Sequence, residues 1–501
     1  MRSAWRSLPG LVLLALLAHG PGLALLHVPG TMDATYAFEV ATNLATGRGL
    51  TEDFVWAWFR VPEGIPHPAC TYWMPLQPWL MAAFMKLLGP TFAVARIPGT
   101  VLGATLPALA WMVGRRWVDG DDAPPWAAWT GFALALFSGW TFTLATSTDT
   151  FGLFGALGAA ILLLCARPTP VRLLWAALLL GPAVLTRIDG VWLGVPLAWA
   201  AWRGGPRALR ACLLGLAGAA ALAIPWFLRN QALLGTPIAG RALFLRSYSD
   251  FFSADPGRIL TPGGLLEWGV GSIALSRLRG LGFALISPYG LPGAFAVIFA
   301  PLVAWGAWIR RKDLGPFAPA LLFAATLVGA GVLLYPAVLE RGTLLHGLAP
   351  LAVFGGPLAG AGLLDLARRR SLHPAFLVAI VAVGAGLVSG VTEHRLLSTQ
   401  RRTLDRYGAV ADLVGPGVVM TDDPIAWHHA TGGPAIVHPW DEQDTVRALA
   451  GRFGATHLVL RPTHPPSLAP LWRRDPEAAR ALGLTLVRAE EDLQVWAWDA
   501  E

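Results

Sequence analysis

Long apolar runs, separated by short basic or Gly/Pro-rich stretches, fill the chain up to about residue 400. A helix needs about 20 apolar residues to cross a bilayer core, and about eleven runs approach that length. They centre near Leu16, Leu102, Leu134, Ala156, Leu178, Val195, Leu216, Phe295, Leu322, Val353 and Val381. Every second loop is basic: Arg115-Arg116, Arg167 with Arg172, Arg203-Arg207-Arg210, Arg310-Arg311-Lys312 and Arg368-Arg369-Arg370. Cytoplasmic loops carry the excess of Lys and Arg. Counted from an N-terminus bearing Arg2 and Arg6, the alternation predicts a cytoplasmic N-terminus and an extracytoplasmic C-terminus. The first run, Leu8 to Val28, reads as a retained helix and not a cleaved signal, since no Ala-x-Ala site follows it.

The opposite side receives the large polar pieces: residues 29–90, 231–290 and 401–501. In the first, Ala34, Ala37, Phe38, Ala41, Leu44 and Ala45 recur on one helical face, with Gly47 and Gly49 placed to end it. A second apolar helix, Trp79–Leu88, is too short to span. Both are expected on the membrane surface, with Trp56, Trp58, Phe59, Tyr72 and Trp73 at the interface between them. After residue 401 short strands and helices alternate. Helices are predicted over Arg402–Leu413, Asp441–Phe453 and Pro476–Leu482, and strands over Val418–Thr421, Ala435–Val437, His457–Leu460, Thr485–Val487 and Leu493–Trp498. That order predicts a small α/β layer domain. The expected architecture is an α-helical polytopic membrane domain over residues 1–400 and a soluble extracytoplasmic domain over 401–501.

Composition agrees. The chain is 55% hydrophobic and 14% charged, against about 25% charged in soluble proteins, so most of its surface must meet lipid. The net charge of +7 lies in inter-span loops and does not form a nucleic-acid face. The 23 Trp suit two membrane interfaces, and three Cys are too few for a disulfide framework or zinc site.

Apart from His19 in the first, the apolar runs as drawn hold no central Asp, Glu, Lys or His, which weighs against an ion-coupled transporter. Charge gathers instead at the outer ends of the spans: Asp33, Glu39, Asp53, Asp149, Arg187, Asp189, Arg229, Glu340, Arg341 and His346. A lipid-linked sugar phosphate holds its scissile bond at that depth. Its leaving group is already a stable anion, so the chemistry needs one carboxylate to take the acceptor's proton and cations to hold the phosphate.

Several short segments carry a resemblance. They are Asp33-Ala-Thr-Tyr36, Ala41 through Gly47-Arg-Gly49-Leu50, Tyr72-Trp-Met-Pro75-Leu-Gln-Pro78, Arg96, Ser147-Thr-Asp149, Leu185-Thr-Arg187-Ile-Asp-Gly190 and Pro225-Trp-Phe-Leu-Arg229-Asn230. In order and placement they resemble the GT-C superfamily of membrane glycosyltransferases, in the branch of the protein O-mannosyltransferases and the aminoarabinose transferases of lipid A. The resemblance covers residues 10 to 400. It implies an inverting enzyme that moves a sugar from a polyprenyl-phosphate donor to a lipid, glycan or protein acceptor outside the plasma (inner) membrane. Asp33 would be the base, and Asp149 a second acid near donor or acceptor. Arg187 and Arg229 would bind the lipid phosphate, with Arg341 and His346 beside them. Tyr36 and Tyr72 are further substrate candidates. Where the mannosyltransferases carry Asp-Glu, this chain has Asp33-Ala34, which weighs against a protein hydroxyl as acceptor.

Plainer uses compete for each residue. Asp33 and Asp149 can cap the helices they precede, the arginines can snorkel to headgroups, and the two tyrosines can pack at the interface. Asp422-Asp423-Pro424 reads as a turn. His428-His429 has no ligand partner at metal spacing. No Asp-x-Asp motif falls on the outer side, so neither a metal nor another cofactor is expected. Two other classes remain: a flippase or transporter of lipid-linked sugars, and an inactive glycolipid-binding scaffold.

Overall fold

The computed structural model describes residues 7–58, 60–137, 139–238, 243–254, 261–295 and 297–499. Arg2, Arg6 and Phe59 lie outside them, as does the side chain of Arg341. Among the described residues, seven helical stretches are long and apolar enough to cross a membrane: Leu8–Leu25, Phe92–Asp119, Gly205–Leu234, Val270–Phe295, Gly315–Leu334, Ala349–Arg370 and Pro374–Val414. Shorter apolar helices, Trp126–Leu136, Phe151–Cys165, Pro170–Thr186 and Ala300–Ile309, pack among them. The chain is a multi-pass membrane protein. Leu13, Leu17, Leu214, Leu228 and Leu387 are exposed around this layer, as befits side chains whose solvent is lipid. Inside it, small residues let helices approach closely, the usual device where lipid removes any hydrophobic drive. A Cβ on Gly306 would lie 1.7 Å from the Leu358 carbonyl oxygen, and one on Gly152 would lie 2.3 Å from that of Gly99.

Two stretches differ from the hydropathy reading. Residues 231–290 were expected as an outer loop but contain the helix Val270–Ile286. Arg277 and Arg279 interrupt its apolar pattern and mask it in sequence. The run centred near Val195 is instead a 3-10 turn, Ile188–Leu193, leading into a ten-residue helix, Gly194–Arg203.

The basic loops share one end of the layer. Arg310 Nη2 donates to the Trp117 carbonyl, the rings of Trp126 and His373 meet at 5.9 Å, and Pro168 lies against Gly204. The polar pieces occupy the other end. There the helix Met32–Ala45 packs on Leu76–Leu88. Between them run three two-residue strands, β1 (Thr51–Glu52), β2 (Phe54–Val55) and β3 (His67–Pro68).

Five more strands form the C-terminal sheet: β4 (Val418–Thr421), β5 (Ala435–Val437), β6 (Ala455–Leu460), β7 (Leu484–Ala489) and β8 (Gln494–Trp498). The sheet order is β2-β5-β4-β6-β8-β7; β2, β5, β4 and β6 are parallel, and β8 pairs antiparallel with both β6 and β7. Two features join the domains. The last of the long apolar helices, Pro374–Val414, runs 41 residues from the membrane layer into the soluble domain without a break at residue 400. The first outer loop contributes β2 as an edge strand, pairing Phe54 with Ala435 and Val55 with Ile436. A two-residue strand has no periodicity to betray it in sequence. Its register is fixed by burial, since Phe54 and Val55 are both buried.

Candidate active site

Helix Met32–Ala45 starts with Thr31, whose side chain accepts the Ala34 N–H at 3.1 Å. Thr31 is therefore the cap, and Asp33, second in the helix, is not needed for it. The Trp73 side chain hydrogen-bonds the Asp33 carboxylate. Trp73 is itself wedged between Tyr36 and Trp56, each 4.1 Å away ring to ring. Burial pushes the Asp33 carboxyl above its ordinary range and nearby Asp149 adds to the push, while His346 and Arg187 pull it back.

Asp149 reaches the same spot from the loop before helix Phe151–Cys165. One carboxylate oxygen accepts the Phe151 N–H at 2.9 Å, so it does serve the helix start. The other meets His346 Nε2 at 3.0 Å and Thr31 Oγ1 at 3.5 Å. Burial opposes ionisation, but the His346 charge and hydrogen bond hold the Asp149 carboxyl below its usual value. His346 Nδ1 faces the Gly342 carbonyl at 2.7 Å. Both ring nitrogens thus face oxygens; burial lowers the imidazole's affinity for a proton, and Asp149 raises it by more.

Arg187 ends helix Pro170–Thr186 in extended backbone. Its Nη2 and Nε donate to Asp189 Oδ2 at 2.7 and 3.2 Å. Arg187, Asp33, Tyr72 and Trp73 line one cavity of about 430 Å³. The apolar wall of that cavity includes Ile188, Val191, Leu243 and Leu334, all exposed on the outside of the layer. It therefore has a charged inner end and a greasy mouth at the level where the spans finish.

The structure thus brings Asp33, Asp149, Arg187, His346 and Tyr72 together. It places Arg229 and Tyr36 elsewhere. Arg229 donates to the Ala69 carbonyl at 3.0 Å and to Asn230 Oδ1 at 2.9 Å, and stacks on Trp226 at 4.4 Å. It lines a separate recess with Leu50, His67 and Pro68. Tyr36 is fully buried, its hydroxyl taking the Cys70 N–H at 2.7 Å and hydrogen-bonding Glu52. Glu52, raised by burial to about 8, belongs to that cluster. Glu39 and Asp53 are drawn to the C-terminal domain. His429 Nδ1 meets Glu39 at 2.6 Å, and His428 Nε2 lies 3.7 and 3.8 Å from Glu39 and Asp53. The partner of the His pair therefore comes from the far end of the chain, beyond any local spacing rule. Asp423 caps helix Pro424–Thr431, accepting the Ala426 N–H at 3.0 Å. Sequence reasoning gave Thr31 and Trp73 no role at Asp33, although a Thr two residues before a candidate base is a recognisable cap.

Asp33, Asp149 and His346 each place one ligand atom within 4.8 Å of the others. That spacing can hold a divalent cation through a neutral His346 Nε2 and the two carboxylates.

No protein-family model and no curated protein matches the chain. Among solved structures it is similar to ArnT from Cupriavidus metallidurans in the apo state, at 15% identity over 97% of both chains with a TM-score of 0.58. The same protein bound to undecaprenyl phosphate matches at 16% identity, 97% of both chains and a TM-score of 0.57. The oligosaccharyltransferase AglB from Archaeoglobus fulgidus, in complex with an inhibitory peptide and a dolichol-phosphate, matches at 12% identity. That match covers 90% of this chain and 69% of AglB, with a TM-score of 0.53. ArnT and AglB are GT-C superfamily members. The chain has the GT-C fold, a layer of membrane helices carrying a small C-terminal α/β domain.

Proposed function

We propose that the protein is an inverting glycosyltransferase that moves a sugar from a polyprenyl-phosphate donor to an acceptor hydroxyl at the extracytoplasmic face. The observation that carries this reading is a single cavity that joins Asp33 and Arg187 to an exposed apolar wall at the span ends. A prenyl chain would lie along Ile188, Val191, Leu243 and Leu334, with its phosphate beside the Arg187 guanidinium. The acceptor oxygen attacks the anomeric carbon, the bond from that carbon to the phosphate oxygen breaks, and Asp33 takes the acceptor's proton. The carboxyl stays a competent base because His346 and Arg187 offset part of the burial penalty. Arg187 stabilises the phosphate dianion as it leaves, and no acid is needed. Beside the base, His346 pulls the Asp33 carboxyl down while the Asp149 carboxylate pushes it up. A divalent cation held by Asp33, Asp149 and His346 would add positive charge at the same place. The basic loops at the opposite end favour a cytoplasmic position for that end.

The test is release of free polyprenyl phosphate from a panel of radiolabelled undecaprenyl-phosphate sugars, with purified protein and an envelope lipid extract as acceptor. Release with one donor, and label transferred to a lipid or glycan, supports the reading. Movement of intact donor across vesicles without release would replace it with a transporter.

A further inference from the structure

Asp33 is second in its helix, and the chain enters that helix from the first span through residues 26–31. Gly30 turns the chain there with φ at +94°, a conformation that costs glycine little. The Gly30 N–H donates to the side-chain oxygen of Gln400, 370 positions further along the chain. Gln400 Nε2 donates in turn to Thr35 Oγ1 at 2.9 Å, and Thr35 is buried.

Chemistry fixes the direction of both bonds. A backbone N–H can only donate, so it faces the amide oxygen. The Thr35 hydroxyl gives its own hydrogen to the Thr31 carbonyl at 2.7 Å, so toward Gln400 it accepts. One side-chain amide thus straddles the proposed base, gripping the backbone before Asp33 and the side chain of Thr35 after it.

Neighbouring contacts act on the same segment. Arg401 Nη2 donates to the Leu25 carbonyl at 2.9 Å, at the end of the first span. Leu396 lies so close to Gly30 that a Cβ there would come within 2.8 Å of its Cδ2. Leu396, Gln400 and Arg401 all belong to helix Pro374–Val414. Further along that helix Tyr407, Val410 and Val414 share one buried cluster with Val419 and Trp427 of the C-terminal domain. The segment that carries the base is therefore fastened to the helix on which the C-terminal domain is mounted.

Trp73 holds the Asp33 carboxylate, whereas Gln400 holds the backbone from which it projects. A base works only within hydrogen-bond reach of the proton it takes, and a displacement of about 1 Å can cost about 100-fold in rate. We propose that Gln400 is a positioning residue for this reaction: its amide fixes the first turn of the Asp33 helix and so aims the carboxylate at the acceptor hydroxyl. The proposal rests on Asp33 being the base. Gln400 itself lies outside the cavity of Asp33 and Arg187, so its loss should lower the rate and leave donor binding alone.

The experiment is single-turnover release of polyprenyl phosphate from its labelled sugar donor, with the full chain in nanodiscs. Parent, Gln400→Leu, Asp33→Asn and the double variant are compared. Leucine keeps most of the bulk of glutamine and removes both bonds. Gln400→Leu should slow release about 10- to 100-fold and change undecaprenyl phosphate binding less than about twofold. In the Asp33→Asn background the same change should slow the residual rate less than about twofold, since a side chain that acts through the base has nothing left to act on. Thr35→Val removes one of the two bonds and should fall between parent and Gln400→Leu. Parent-like release by Gln400→Leu, or by Thr35→Val where leucine unfolds the chain, overturns the proposal. So does an equal loss of undecaprenyl phosphate binding, or an undiminished effect of Gln400→Leu in Asp33→Asn, because either marks a general loss of structure. If Asp33→Asn itself keeps the parent rate, or the parent releases nothing, the functional reading falls and this proposal falls with it.

Discussion

Sequence alone nominates two arginines for the lipid phosphate, and the structure separates them, so replacing each gives opposite results. Two of the five N–H groups of Arg187 go to Asp189, which leaves three for a ligand in the cavity it lines. A charge-assisted hydrogen bond contributes about 1.5–3 kcal/mol. Losing one such bond to phosphate weakens binding about 10- to 140-fold. Arg187→Ala also leaves Asp189, 4% exposed, as an unpaired buried carboxylate. Arg187→Ala/Asp189→Asn removes that strain and should bind as weakly while melting closer to the parent. Arg187→Lys keeps the charge without the fork and should lose about tenfold. Arg229→Ala should change binding less than about threefold, because Arg229 is committed to Ala69, Asn230 and Trp226 in another recess. The assay is equilibrium binding of radiolabelled undecaprenyl phosphate to the full chain in nanodiscs. Parent-like binding by Arg187→Ala, or an equal loss in Arg229→Ala, would refute the placement of the phosphate.

The remaining predictions concern the surroundings. Glu52, raised to about 8 when folded against an ordinary value of 4.5, keeps a proton in the native state that the unfolded chain has lost. Stability should therefore fall as pH rises from about 4.5 to about 8, by up to about 1.4 kcal/mol per unit. Glu52→Gln should flatten that slope in thermal melts, and identical slopes would contradict the burial argument. Gly152→Ala drives a Cβ onto the Gly99 carbonyl beside the Asp149 loop. It should cost about 1–3 kcal/mol in a melt and weaken donor binding with it; a parent-like melting curve would show that the helices can part freely. Chelation with EDTA should slow donor turnover less than about threefold, since the proposed step sends the proton to Asp33 and sets the phosphate charge against Arg187 without a cation. A larger loss restored by magnesium, manganese or zinc would place a cation among Asp33, Asp149 and His346.

Much of this fold was legible in the chain. Apolar runs and alternating basic loops gave the membrane layer, and the change of period after residue 401 gave the α/β domain. The strands predicted over Val418–Thr421 and Ala435–Val437 are β4 and β5 as observed. What escaped has physical causes. Strand β2 is two residues long and pairs with a partner some 380 residues away, so no local pattern encodes it. Helix Val270–Ile286 carries two arginines, which hide an apolar helix from a hydropathy reading. Residue type and depth nominated Asp33, Asp149, Arg187 and His346, and the structure brings these four close to one another. The same rule nominated Arg229, whose cation serves a carbonyl cap and a ring stack instead. Depth gives the level of a residue but not its direction around a helix.

The most direct measurement compares purified parent with Asp33→Asn for release of polyprenyl phosphate from its labelled sugar donor, at saturating donor and acceptor extract. The amide keeps the shape and the contact with Trp73 but cannot take a proton. The account predicts a fall in kcat of about 10²- to 10⁴-fold, the usual worth of a general base, with undecaprenyl phosphate binding unchanged. Equal rates in parent and variant would contradict it, because the proton would then leave by a route that does not involve Asp33.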